Sequence, residues 1–71
     1  MTTRQSIGPS IKALRLARGI KAMDLAQACG FTPSMLSQIE AGRRRAPAEK
    51  LRIIADELSV HVDAISYLPH D

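Results

Sequence analysis

Apolar residues in this chain recur at spacings of three and four, and the pattern is interrupted at Gly19, Gly30 and Gly42. That combination leaves room for short helices joined by tight turns and for little else. The first segment runs from about Ser6 to Arg18, with Ile7, Ile11 and Leu14 on one face. Ser6 is placed to cap it, Pro9 sits in the first turn where its missing N–H does little harm, and Gly19 stops it. The second runs from about Lys21 to Cys29, with Leu25, Ala26 and Cys29 inward and Gly30 as its stop. The third starts after Thr32, where a threonine cap precedes Pro33 at the first helical position. Met35, Leu36 and Ile39 form its buried face, and Gly42 ends it. A fourth begins near Pro47 and carries Leu51, Ile54, Ala55 and Leu58. A fifth, from about Val62 to Leu68, carries Val62, Ile65 and Leu68 and is closed by Pro69. Strand-like alternation is absent, so the expected class is all-α, a compact five-helix bundle.

At 71 residues the chain is expected to be a single domain, ordered over about 6–68. Aromatic residues are limited to Phe31 and Tyr67, which disfavours modules that stack bases on several rings and disfavours a small β-barrel. Cys29 is the single cysteine, so no intramolecular disulfide framework exists. A core this small gains from dimerisation. No signal-peptide core or membrane-length apolar run is present, and the expected compartment is the cytoplasm of a prokaryote, with a phage-encoded origin equally compatible.

Charge is unevenly placed. Up to Pro47, Arg4, Lys12, Arg15, Arg18, Lys21, Arg43, Arg44 and Arg45 stand against Asp24 and Glu40, eight minus two, or +6. From Ala48 onward, Lys50 and Arg52 stand against Glu49, Asp56, Glu57, Asp63 and Asp71, two minus five, or −3. One part of the chain is suited to a polyanion. An unevenly charged but merely solvated surface is the plainer alternative.

The informative stretch is AMDLAQACGFTPSMLSQIEA, Ala22 to Ala41. Ala26 is small where two helices must approach, and Gly30 supplies a left-handed turn. Leu25, Cys29 and Phe31 face Leu36 and Ile39 across the wedge. This is helix-turn-helix geometry, which presents its second helix to the major groove. These residues and their flanks resemble the phage-repressor (Cro-like, XRE-type) helix-turn-helix family. The resemblance covers roughly Ile7 to Ser66 and includes Ser37, Ile39 and Glu40 in order, followed by Gly42 and its basic neighbours.

The resemblance implies a lambda-repressor-like fold with the helix after Thr32 as recognition helix. Pro33, Ser34, Ser37 and Gln38 are then the base-contacting candidates, with Ala41 on the same face. Gln38 is the best reader, because its amide matches adenine N6 and N7 together. Lys21, Thr32, Arg43, Arg44 and Arg45 are the phosphate candidates; a solvated loop is the bland reading of the arginine triplet. Arg15 and Glu40 match a pair that forms a structural salt bridge in many members. Four positions depart from the family pattern. Lys21 and Ala22 stand where Thr-Gln is common, Ala41 where an asparagine often binds phosphate, and Ser59 where a helix-ending glycine is frequent.

Cys29 reads as a packed thiol, and His61 and His70 have no ligand partner at useful spacing, so no metal or other cofactor is expected. Ser37 and Asp24 have no histidine placed to build a nucleophilic site, and no glycine-rich phosphate loop exists. An enzyme, a small-molecule substrate and a membrane role are all unsupported. Ile53, Ile65, Tyr67 and Leu68 form a candidate dimer interface at the acidic end, with a self-packed tail as the alternative.

The expected function is a sequence-specific, DNA-binding transcriptional regulator, a repressor bound as a homodimer to a palindromic operator and nucleoid-associated when bound. A phage Cro-like switch, a restriction–modification controller and an antitoxin are all compatible, and a further protein partner would fit each. The competing class is a protein–protein interaction module with the same fold and weak or no DNA binding, which Ala22 and Ala41 favour.

Overall fold

Residues 3–69 are described in the computed structural model; His70 and the tail expected around it lie outside the described residues. The chain forms β1 (Gln5–Ser6), α1 (Gly8–Ala17), α2 (Ala22–Cys29), α3 (Pro33–Glu40), α4 (Ala48–Leu58), a 3-10 turn (Val62–Ala64) and β2 (Ser66–Tyr67). Four α-helices therefore stand where periodicity gives five. The segment expected as the fifth is one 3-10 turn followed by a strand. His61 caps that turn, its Nδ1 accepting from the Asp63 N–H at 3.1 Å. Ile65 then leaves the helical region at φ −126°, so the chain extends. β2 pairs antiparallel with β1 in the register Gln5↔Tyr67 and Ser6↔Ser66. A spacing of three between Val62 and Ile65 fits a 3-10 turn as well as an α-helix.

The strand pairing also removes Ser6 from its expected role. Ile7 holds the N-cap position of α1 with no side-chain hydrogen bond. Ser6 lies in β1, and its hydroxyl accepts from the Ala46 N–H at 3.0 Å. The Ile7 N–H goes to the Ile65 carbonyl at 2.7 Å. Ile65 is 0 % exposed, so its expected place in a dimer interface is corrected: the end of the 3-10 turn drives it into the protein's own core.

All four helices close the same way. Gly19, Gly30, Gly42 and Ser59 adopt left-handed backbone, with φ of 70°, 75°, 79° and 57°. The next N–H returns to a carbonyl one turn back: Ile20 to Arg15, Phe31 to Ala26, Arg43 to Gln38 and Val60 to Ala55, at 2.8–3.0 Å. This is the Schellman arrangement, which satisfies carbonyls that a helix end otherwise leaves open. At three of the ends the following residue, Ile20, Phe31 or Val60, packs on the core. At the end of α3 that residue is Arg43, and it is exposed.

The core is filled from every helix: Ile11 of α1, Leu25 and Cys29 of α2, Leu36 and Ile39 of α3, and Leu51, Ile54 and Leu58 of α4. Buried Ala26 lets α2 and α3 meet. Gly8 makes a second close approach. A Cβ there would come within 2.8 Å of the Glu40 carbonyl oxygen and closer still to that of Ile39, so the start of α1 abuts the backbone at the end of α3. Leu16 on α1 and Met23 on α2 are exposed, two apolar residues outside the core that the sequence reading does not single out.

Gly8→Ala is expected to lower the unfolding free energy by about 2 kcal/mol, since backbone carbonyls cannot step aside as a flexible side chain would. Ser59→Gly works in the opposite direction. Relief of left-handed strain outweighs the added freedom of the unfolded chain by about 0.5 kcal/mol. Urea unfolding of both variants checks the pair. Unchanged stability for Gly8→Ala would show that α1 does not press on α3 there.

Candidate nucleic-acid interface

α3 divides cleanly into two faces. Leu36, Ile39 and Glu40 are buried and Met35 is half-buried. Pro33, Ser34, Ser37, Gln38 and Ala41 are all exposed. Their spacing of one, four, five and eight places them on one side of the helix. That side carries two hydroxyls and one amide and no carboxylate. At its start the Thr32 hydroxyl accepts from the Met35 N–H at 3.1 Å, which leaves its own proton available to a ligand.

The acid of α3 is turned inward and neutralised. Arg15 Nε donates to Glu40 Oε2 at 2.8 Å and Nη2 to Oε1 at 3.1 Å, a two-bond fork between α1 and α3. The third guanidinium nitrogen, Nη1, donates to the Ile20 carbonyl at 3.0 Å. The two side chains are 10 % and 7 % exposed. Hydrogen bonding to Glu40 raises the Arg15 pKa against the opposing effect of burial, so the guanidinium stays charged.

Geometry reduces the count of cations that face outward without a partner. Arg4 Nη1 lies 2.7 Å from Asp63 Oδ1 and donates to Ser66 Oγ at 3.1 Å. Arg18 Nε donates to the Leu58 carbonyl at 2.8 Å and so caps α4. With Arg15 also engaged, Lys12, Lys21, Arg43, Arg44 and Arg45 remain of the cations up to Pro47; all five are exposed, and none forms an ion pair with a described residue. Lys21 occupies the N-cap position of α2, whose first turn has no side-chain cap. The N–H groups of Arg43 and Arg44 both donate to the Gln38 carbonyl, at 3.0 and 3.3 Å. The basic loop thus hangs from the same residue whose side chain stands at the middle of the exposed face.

The other candidates lie elsewhere. Cys29 is buried in the core, and burial pushes its thiol pKa up, which makes it a poor nucleophile. Among the described residues no group of three or more His, Cys, Asp or Glu is arranged to hold a metal. A cavity of about 270 Å³ is lined by Arg52, Ala55, Asp56, Val60, His61 and Val62, none of them on α2 or α3. Ile53 on α4, Tyr67 on β2 and Leu68 after it are exposed. The Tyr67 hydroxyl donates to Gln5 Oε1 at 3.0 Å. No described helix is long and apolar enough to cross a membrane.

A family model described as helix-turn-helix matches residues 11–65 of the chain. Among solved structures, the clp gene regulator ClgR from Corynebacterium glutamicum is similar, with 29 % identity and a TM-score of 0.76. That match covers 80 % of this chain and 62 % of the ClgR chain. The N-terminal DNA-binding domain of SinR from Bacillus subtilis matches at 32 % identity and TM-score 0.67, over 79 % of this chain and 83 % of that one. SinR in complex with DNA matches at 32 % identity and TM-score 0.71, over 82 % and 97 %. The restriction-modification controller protein C.AhdI from Aeromonas hydrophila shares the fold, with 24 % identity, TM-score 0.73, and 80 % and 86 % covered. No curated protein matches the chain.

Arg15→Ala would leave Glu40 charged, desolvated and unpartnered, and is expected to cost about 3 kcal/mol of stability. Replacing both partners, as Arg15→Met with Glu40→Leu, is expected to recover most of that loss. Chemical unfolding of the single and double variants decides it. Equal stability of Arg15→Ala and the unaltered chain would mean that the fork contributes nothing to holding α3.

Proposed function

We propose, since the chain belongs to the helix-turn-helix family, that it is a sequence-specific DNA-binding transcriptional regulator with α3 as its recognition helix. One observation carries this reading. The exposed face of α3 is free of acid, bears hydrogen-bonding side chains, and is followed directly by three exposed arginines without ion-pair partners among the described residues. A surface of that kind suits base edges flanked by phosphates. Gln38 reads a base by its amide, Ser34 and Ser37 add less selective hydrogen bonds, and Pro33 offers apolar contact to a thymine methyl. Lys21, Thr32, Arg43, Arg44 and Arg45 hold the backbone on either side. SinR, similar in sequence and fold, has been solved with DNA, which supports the same docking here.

The reading extends to a repressor that binds a palindromic operator as a homodimer. Two-fold symmetry then sets the recognition helices about 34 Å apart, one turn of duplex. Exposed Ile53, Tyr67 and Leu68, with the acidic residues of the C-terminal part, are the surface offered to the second copy. Residues 1–71 act on this reading as one DNA-binding domain.

Equilibrium binding to DNA across a salt series tests the phosphate assignment. Changing Arg43, Arg44 and Arg45 together to alanine is expected to make the slope of log affinity against log salt shallower by about 2–3 per protomer. An unchanged slope would remove these arginines from the interface. Gln38→Ala is expected to relax one operator position, with discrimination there falling by about 1–3 kcal/mol; an unaltered preference among sites selected from random DNA would refute its reading role. A chain that binds no duplex at any salt would point to the interaction-module class instead.

The dimer has its own test. Leu68→Asp places a charge at the proposed contact and should move the sedimentation coefficient toward that of the monomer. No movement would place the interface elsewhere.

A further inference from the structure

We propose that Ser6 is a positioning residue for DNA binding, a tether that holds the arginine loop in place without touching the nucleic acid. The inference rests on the DNA-binding reading above and adds a residue to it. The loop that carries Arg43, Arg44 and Arg45 is pinned at two ends. At its start, the Arg43 and Arg44 N–H groups donate to the Gln38 carbonyl. At its end, the N–H of Ala46, the residue directly after Arg45, donates to Ser6 Oγ at 3.0 Å. Ala46 is 5 % exposed, so this N–H has little access to water as a substitute partner.

Ser6 is itself held from the far end of the chain. It pairs with Ser66 across the two-stranded sheet. Ser66 is 3 % exposed, donates its hydroxyl to the Val62 carbonyl at 2.6 Å, and accepts from Arg4. Arg4 is in turn paired with Asp63. The path from the C-terminal segment to the basic loop therefore runs through adjacent contacts: Ser66 bonded to Val62, the register that sets Ser6 opposite Ser66, the neighbouring Ile7 N–H on the Ile65 carbonyl, and Ser6 bonded to Ala46. Three arginines on a loop fixed at both ends meet phosphates with less ordering left to do at the moment of binding. A loop fixed at one end would have to be ordered first.

The test combines amide exchange by NMR with binding to a duplex of about 20 base pairs of arbitrary sequence, where phosphate contacts dominate. In the unaltered chain the Ala46 N–H is expected to be protected. In Ser6→Ala its exchange should quicken on the order of tenfold, while Leu36 and Ile39 in α3 exchange as before. Affinity for the duplex should fall about two- to tenfold with the salt slope unchanged, because every cation is still present. Ser6→Thr, which keeps the hydroxyl, should restore both. An unprotected Ala46 N–H in the unaltered chain overturns the tether whatever the variants do. Full duplex affinity in Ser6→Ala, or equal losses in Ser6→Ala and Ser6→Thr, overturns the positioning role alone. An unaltered chain that binds no duplex overturns the DNA reading, and the positioning role falls with it.

Discussion

The fork between Arg15 and Glu40 is the contact on which the exposed face of α3 depends. α3 has only eight residues, too few to hold itself as an isolated helix in water. Its orientation comes from what it leans on. Leu36 and Ile39 supply non-directional burial, which by itself tolerates some rolling about the helix axis. Two parallel hydrogen bonds to a planar guanidinium do not. Gly8 completes the brace by letting the start of α1 come against the backbone at the end of α3. The same fork hides the one carboxylate of α3 from the surface that would meet a polyanion. An apolar pair could match its stability, but the fork fixes rotation and removes a charge at once.

The helix ends show how one local device serves two purposes. Each left-handed end reverses the chain and directs the following side chain toward the preceding turn. Where that side chain is Ile20, Phe31 or Val60, the turn adds to the core. Where it is Arg43, the same backbone geometry delivers a cation to the end of the exposed face of α3. Ser59 meets this demand without being a glycine, at φ 57°, so the backbone pattern prevails over residue preference.

Much of this was legible from sequence. The helices are announced by periodicity and by local stops, and the buried and exposed faces of α3 follow from its spacing alone. Periodicity misleads after Ser59, because one turn of 3-10 helix satisfies the same spacing and the segment's real partner, Gln5, lies 62 positions from Tyr67. Ser6 looks like a cap for the same reason: its local setting fits, while its actual partner Ala46 is 40 positions away. Gly8 gives no local signal, since its smallness answers a neighbour that only the fold brings near. Charge counting overstates the outward cations, because Arg15 is buried against Glu40 and Arg4 is paired with Asp63. Ile65 shows the limit of calling an apolar residue at a chain end an interface. An unfilled position in the core competes for it first.

Departures from the family pattern acquire a physical sense once the loop is in view. Ala22 and Ala41 stand where amide side chains commonly make directional bonds to phosphate. With those bonds absent, the proposed grip falls to Lys21 and to three arginines on a loop. Charged groups on long, flexible side chains reach phosphate from a wider range of positions but are screened by salt. Such a grip gains most from a backbone already in place, because flexible cations on a flexible loop would lose freedom twice on binding. That is the role in which the Gln38 carbonyl at one end of the loop and the Ser6 hydroxyl at the other make sense together. Both ends are fixed by atoms that carry no charge, so the fixation leaves all three guanidinium groups to the ligand.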